Sequence, residues 1–323
     1  MVAATVTASA LLAGALAGCG VGGDGRDGGD AESREAVARE QVDPQRIGPQ
    51  GRVAQFVVEC ELSHTAYDDP IVYPDEPGAS HLHTFFGNGA VTAAPDYDAV
   101  IGADTSCEQR LDTASYWAPA LLDGWGRVVE PVLMTGYYRP GYGVDPAVIE
   151  PYPAGLMMVA GDALATATQP LDVVAWSCGT SAQRAAAPPA CPARSTLRLW
   201  INFPDCWDGA RLRGEATDVP SAGDGGEHVH GPDGTNGAPA MRAAPVDHIA
   251  RSVDGRCPAT HPVAIPMLQL AIDYPPVDPA ELSLASGDIR TAHADFWNVW
   301  DQDKLVQEVE LCLNADRVCG VTN

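Results

Sequence analysis

Six stretches of the chain alternate, wholly or in part, between apolar and polar residues: RVAQFVVECEL, RVVEPVLMTGYY, GLMMVA, LDVVAWSC, STLRLWINF and PMLQLAIDY. They are rich in Val, Leu and aromatic residues, and a period of two is the mark of a strand with one face buried. Gly, Pro and Asp punctuate the stretches between them. One helix is predicted near the end, in DKLVQEVELCLN, where Leu305, Val309 and Cys312 have helical spacing and Asp301 is placed to cap it. Long connections, such as 62–115, exceed what a tight hairpin needs, and loops of that length are usually functional. No internal repeat is present. The pattern predicts an all-β fold: a β-sandwich, of which a jelly roll is one form, with long loops and one C-terminal helix. An α+β fold is the alternative.

The periodic pattern starts only at residue 53. Residues 4–18 are small and apolar and end in Leu16-Ala17-Gly18-Cys19, which reads as a secretory segment of residues 1–19 closing in a lipobox, with Cys19 as the lipidated residue. The run is too short to span a bilayer. No Lys or Arg precedes it, which points to a start upstream of Met1. Residues 20–52 are rich in Gly and acid and read as a flexible tether. Residues 53–323 read as a single globular domain. Within it, 213–245 is poor in apolar residues and is expected to be a loop insertion.

Cysteine usage agrees with export. Without Cys19 an even set remains: Cys60, Cys107, Cys178, Cys191, Cys206, Cys257, Cys312 and Cys319. None forms a CxxC pair, so a disulfide framework is expected rather than a thiolate metal site. Short loops suggest Cys178–Cys191 and Cys312–Cys319, which leaves Cys60–Cys107 and Cys206–Cys257. The chain is therefore expected outside the cytoplasm, anchored to the cell membrane by lipid at its extracellular face, or else fully secreted. Its net charge of -24, with Lys304 the only lysine, argues against nucleic acid as a partner, because phosphate binding needs cationic neutralisation. The same charge limits membrane contact to the lipid anchor.

The candidate chemistry lies in the histidines. In a strand, residues i and i+2 share a face, so His81 and His83 of HLHTFFG project together, as do His293 and Asp295 of HADFW. Imidazole is the commonest metal ligand and a proton-transfer group near neutral pH. Together these residues could build a three-His or a two-His-one-carboxylate site. The plain alternative is a hydrogen-bonded structural network packed on Phe85 and Phe86. Asp247 and His248 are adjacent and would point apart, so one could reach the site and the other support it. His64 and Asp69 are lesser candidates. His261 in CPATHP is expected to stabilise a turn beside a disulfide, and His228 and His230 to be exposed in the insertion. Tyr116 could place a phenol near the histidines as a proton donor. Among the aromatic residues near these motifs, one or two are expected to face a ligand groove and the rest to be core. No GxSxG elbow or Gly-rich phosphate loop in a strand–helix context is present.

DDPIVYP, HLHTFFGN, SCEQRLDTASYWAPAL, FPDCWDG, DHIA, CPATHPVAIPMLQLAIDY and SGDIRTAHADFWNVWD occur in that order. In this the chain resembles the DUF1996 family, secreted bacterial and fungal proteins of unassigned function, over roughly residues 56–313. The place after the DH pair, where the family often carries a second histidine, holds Ile249-Ala250-Arg251, and the 213–245 segment is longer than the family's usual connection. Family domains occur beside carbohydrate-binding modules in fungi, which implies cell-wall or biomass polysaccharide as a partner.

The leading expectation is an exported lipoprotein with a His/Asp-lined groove that hydrolyses polysaccharide or cleaves it by elimination. His83, His293, Asp295, Tyr116 and His248 are the candidate catalytic residues. His81, His83, His248 and His293 are the candidate ligands of a divalent metal. The alternative is a non-catalytic surface lipoprotein that captures a glycan or a metal through the same residues. A purely structural histidine network is the third reading.

Overall fold

The computed structural model describes residues 53–215, 217–218 and 242–322, with backbone alone at 217–218. They belong to one compact unit, Gln41–Asn323. Cys19, the secretory segment, the tether, and His228 and His230 lie outside the described residues.

The strands in chain order are β1 (Gln55–Cys60), β2 (Leu62–Ala66), β3 (His83–Gly87), β4 (Ser115–Pro119), β5 (Leu121–Leu122), β6 (Leu133–Arg139), β7 (Met157–Gly161), β8 (Val174–Cys178) and β9 (Leu197–Asn202). There follow β10 (Cys206–Trp207), β11 (Thr217–Asp218), β12 (Arg242–Ala243), β13 (Ile249–Ala250), β14 (Val263–Ala264), β15 (Met267–Tyr274), β16 (Ser283–Leu284), β17 (His293–Trp297) and β18 (Val318–Val321). Two sheets carry the fold. One is six-stranded, in the order β18-β1-β6-β15-β9-β8, and the other five-stranded, in the order β2-β3-β4-β17-β7.

Alternation decides which residues meet between the sheets. Phe56, Val58, Met134, Tyr138, Leu199, Ile201, Leu268 and Leu270 come from the six-stranded sheet, and Phe86, Tyr116, Ala118, Met158 and Phe296 from the other. All join one buried cluster. This is the predicted all-β sandwich, in which the inward residues of both sheets make one core. The six predicted strand stretches all contain a strand. The α+β alternative does not form: the α-helices among the described residues are α1 (Tyr97–Val100) and α2 (Gln302–Glu308). Asp301 caps α2, accepting from the Lys304 N–H at 3.0 Å, and a π-helical turn over Val309–Asn314 completes the predicted C-terminal helix. β18 was not anticipated; it forms the edge of the six-stranded sheet and runs parallel to β1, with Gln55 opposite Val318.

The 62–115 connection is structured rather than open. It contains β2, β3 and α1, and its Ile71, Val72, Val91 and Val100 pack on the outer face of the five-stranded sheet. There they meet Phe85, Trp117, Val159 and Trp297 in a second apolar cluster. Phe85 and Trp117 stack with centroids 5.4 Å apart. At about 25 cal/mol per Å2, burying a ring of about 200 Å2 contributes roughly 5 kcal/mol of gross transfer free energy. That burial holds the connection over the sheet. The insertion at 213–245 closes at its base through the β11–β12 ladder, with Thr217 opposite Ala243. All four suggested disulfides form: Cys60–Cys107, Cys178–Cys191, Cys206–Cys257 and Cys312–Cys319. Bridges of this kind persist in an oxidising, extracytoplasmic compartment. Among the described residues no helix is long and apolar enough to cross a membrane.

Candidate metal centre

The outer face of the five-stranded sheet carries both the second apolar cluster and a set of polar groups. His83, in β3, stands opposite Pro119, the last residue of β4. β17 runs on the other side of β4, and Asp295 opposite Trp117 sets its register. That register brings His293 to the level of Pro119. The two imidazoles therefore flank the end of one strand and lean over it, with centroids 6.0 Å apart. His81 precedes β3 and shares its face with His83, as i,i+2 spacing requires. Its ring centroid is 4.2 Å from that of His83 and 5.0 Å from that of His293.

One ligand nitrogen from each of the three histidines lies within 4.8 Å of the others. Zinc takes imidazole nitrogens at about 2.0–2.1 Å, so nitrogens on one ion lie no more than about 4.2 Å apart; the 4.8 Å that bounds the trio is a little wider. Its tautomers are set from outside. His83 donates through Nδ1 to the carbonyl of Asp68 at 3.1 Å, and His293 through Nδ1 to the carbonyl of Thr291 at 2.8 Å. A neutral imidazole that donates at Nδ1 carries its lone pair at Nε2. The Nε2 atoms of His81 and His83 are buried and have no hydrogen-bond partner. Backbone carbonyls on the far nitrogen are a common way to orient a ligating histidine.

Burial keeps the trio neutral. It is the main cause that pushes His83 down to about 3 and His293 down to about 4, with repulsion from His293 adding to the effect at His83. His81 is held well below the usual imidazole range by burial, then by the other two histidines. The unpartnered Nε2 of His83 thus keeps a lone pair in a buried setting beside the other two rings. A neutral nitrogen donor set of this kind suits a divalent first-row transition metal. Asp295 lies one alternation along β17 on the same face and is fully buried. Burial, then the charge of Asp69, raises its carboxyl well above the usual range. Neither of its oxygens has a partner, and the indole nitrogens of Trp117 and Trp297 on this face are also buried and unpaired. Asp69 itself is pushed up to about 6 by burial and accepts from the N–H groups of Ile71 and Val72. The second cluster of potential ligands, Cys60, Cys107 and Asp112, has its two sulfurs joined in a disulfide and offers no thiolate.

Two of the sequence-predicted site residues are not here. His248 donates through Nε2 to the carbonyl of Met157 at 2.7 Å. Met157 begins β7, whereas Gly161, opposite His293, ends it. Four residues of strand put about 13 Å between those levels, so His248 is neither a ligand nor a catalytic partner of the trio. Tyr116 is excluded by alternation. Its neighbour Trp117 faces the histidine side, so Tyr116 points into the main core, where its hydroxyl bonds Asp112 at 2.8 Å and Tyr138 at 2.5 Å. Among the described residues His83 and His293 are buried and His81 is half-buried, so the trio does not line an open groove there. His64 stacks on Phe85 at 4.5 Å and stays outside the trio. His261 meets the Asp247 carbonyl at 3.2 Å and Thr260 at 2.9 Å, which fits the turn role expected of it. The orienting carbonyls of Asp68 and Thr291 were missed, because a backbone group carries no sequence signal. Asp69, a lesser candidate in the sequence, acts on the site through its charge on Asp295.

A family model described as a domain of unknown function, DUF1996, matches residues 69–300, a span that contains the whole trio and Asp295. Comparison with curated proteins and with solved structures finds no match. The family match covers well over half of the chain and agrees with the motifs that suggested it. The protein belongs to the DUF1996 family.

Proposed function

We propose that this chain is an exported, lipid-anchored cell-surface protein whose His81, His83 and His293 hold a divalent transition metal, and that it acts on polysaccharide by hydrolysis or elimination. The observation that carries the reading is the convergence of three imidazoles within 4.8 Å, His83 and His293 buried and His81 half-buried, the first two anchored by their far nitrogens to backbone carbonyls. Such an ion supplies Lewis acidity toward a polar bond. His83 and His293 orient it, and the buried apolar wall of Phe85 and Trp117 excludes water from one side. Asp295 is a carboxylic acid beside the centre with no partner of its own. Anchoring rests on the lipobox at Cys19, and export on the four disulfides. Polysaccharide as target is supported by Trp125, which is 82% exposed at a tight turn. Asp123 accepts from the Trp125 and Arg127 N–H groups, and Arg127 lies 4.7 Å above the indole. The opposite face of that ring is free to stack on a sugar.

The test is elemental analysis of the untagged protein beside His83→Ala and His293→Ala, followed by a reducing-end assay on glycans. One equivalent of metal in the wild type, lost from both variants, is the expected result. No metal after reconstitution with zinc, copper, manganese or calcium would overturn the reading. The burial of His83 and His293 favours a second reading, metal or glycan capture without turnover. Stoichiometric metal and glycan binding with no product would establish it.

A further inference from the structure

The outer face of the six-stranded sheet collects arginines, although the chain has 43 acidic residues against 19 basic ones. Tyr137 of β6 and Trp200 of β9 stand on this face, with ring centroids 6.1 Å apart and planes 24° from parallel. Arg139 lies 4.4 Å over Tyr137, and Arg184, from the loop after β8, lies 3.9 Å over Trp200. Arg198 also reaches Trp200, but its charge is matched by a paired contact with Asp273. Arg139 donates to the amide oxygens of Gln55 at 2.9 Å and Gln269 at 2.6 Å, and Arg184 to the carbonyl of Ser181. Among the described residues no carboxylate forms an ion pair with either.

Two like charges on one half-buried face are costly without a counter-charge. Burial lowers both guanidiniums from their usual range, and a neighbouring arginine lowers each further. Nη1 of Arg198 is buried beside them without a partner. A depression of about 750 Å3, lined by Arg184, Ser181, Gln183 and the Cys178 end of β8, adjoins this face through Arg184. Tyr142, near enough to act electrostatically on both Arg139 and Arg184, is 64% exposed.

We propose that Arg139 and Arg184 form an oxyanion site on this face, which takes the carboxylate of an acidic saccharide while Tyr142 stacks on the sugar ring. Guanidinium groups bind carboxylates through paired, charge-assisted hydrogen bonds. The exposed Tyr142 favours a carboxylate carried on a ring over a free inorganic anion. The site stands on the other sheet from the histidines and does not depend on the metal centre.

The experiment is calorimetric titration of the full chain with short oligogalacturonates, with their methyl-esterified counterparts, and with inorganic phosphate. It is repeated on Arg139→Gln, Arg184→Gln and, as a control, Arg290→Gln, whose guanidinium pairs with exposed Asp288. The acidic oligomer is expected to bind, to weaken about tenfold or more in each of the first two variants, and to weaken with salt. The ester should not bind, and the control should match the wild type. No binding of the acidic oligomer, equal binding of the ester, or full binding by both variants would overturn the proposal. Phosphate binding tighter than the oligomer, and lost in both variants, would overturn the saccharide assignment and leave a free oxyanion as ligand. Circular dichroism reports folding of each variant; Arg184 is a loop residue, so Arg184→Gln carries the test if Arg139→Gln unfolds. Metal content measured on the same samples keeps a failure of the metal centre separate from a failure here.

Discussion

Acid should destabilise the metal-free protein through its histidine trio, and the size of the effect follows from burial. An imidazole in the unfolded chain titrates near 6.5, whereas folded His83 titrates at about 3 and His293 at about 4. Between pH 7 and pH 5 the unfolded chain takes up protons at these sites and the folded chain does not. Stability rises with pH wherever the unfolded state binds more protons, so it falls on acidification, by about 2 kcal/mol for each of the two histidines by pH 5. Buried acids pull the other way. Asp112 is pushed up to about 8 and Asp295 well above its usual range, so both are protonated in the folded chain across this window while their unfolded counterparts are ionised. Their cost shrinks as pH falls. The total pH curve therefore mixes opposite slopes, and the informative quantity is a difference between variants. His83→Asn and His293→Asn keep a donor for the Asp68 or Thr291 carbonyl and remove the titration. Urea unfolding of chelator-treated protein at pH 7 and pH 5, disulfides intact, measures it. Each variant should lose about 2 kcal/mol less than wild type between the two pH values. Losses equal to wild type in both variants would refute the neutral, buried trio.

Two further substitutions test the placement. Gly161 has φ +85°, and a Cβ there would lie 2.5 Å from the Ala292 carbonyl and 2.8 Å from the His293 Cα; Gly161→Ala should cost at least about 2 kcal/mol and reduce zinc retention, and unchanged melting and metal content would contradict this geometry. Tyr116→Phe should lower stability by about 1–3 kcal/mol, because it strips a partner from Asp112 and Tyr138 in the core, while metal content stays at wild-type level; loss of metal would return Tyr116 to the site.

Much of this protein was legible in one dimension. Strand alternation, the Asp301 cap and the parity of eight cysteines are local or arithmetic signals, so the all-β sandwich, the C-terminal helix and the four bridges followed from them. The face shared by His81 and His83 is also local, because side chains two apart in a strand point the same way. What joined His83 to His293 is the register of two strands against β4, a contact between residues far apart in the chain. Alternation predicts that Tyr116 and Trp117 take opposite faces, but not which face meets the histidines; only the packing of the two sheets decided that Trp117 lies with them and Tyr116 in the core. His248 was left out for the same reason, since its partner Met157 sits at the far end of a strand whose other end carries the site. The arginine face is likewise tertiary, because Arg139 and Arg184 come from separate segments and the absence of an ion pair at either, among the described residues, is visible only after folding. Sequence periodicity sets what each strand can bury, whereas registry between distant strands sets which buried groups meet, and the chemistry of this chain lies in the second.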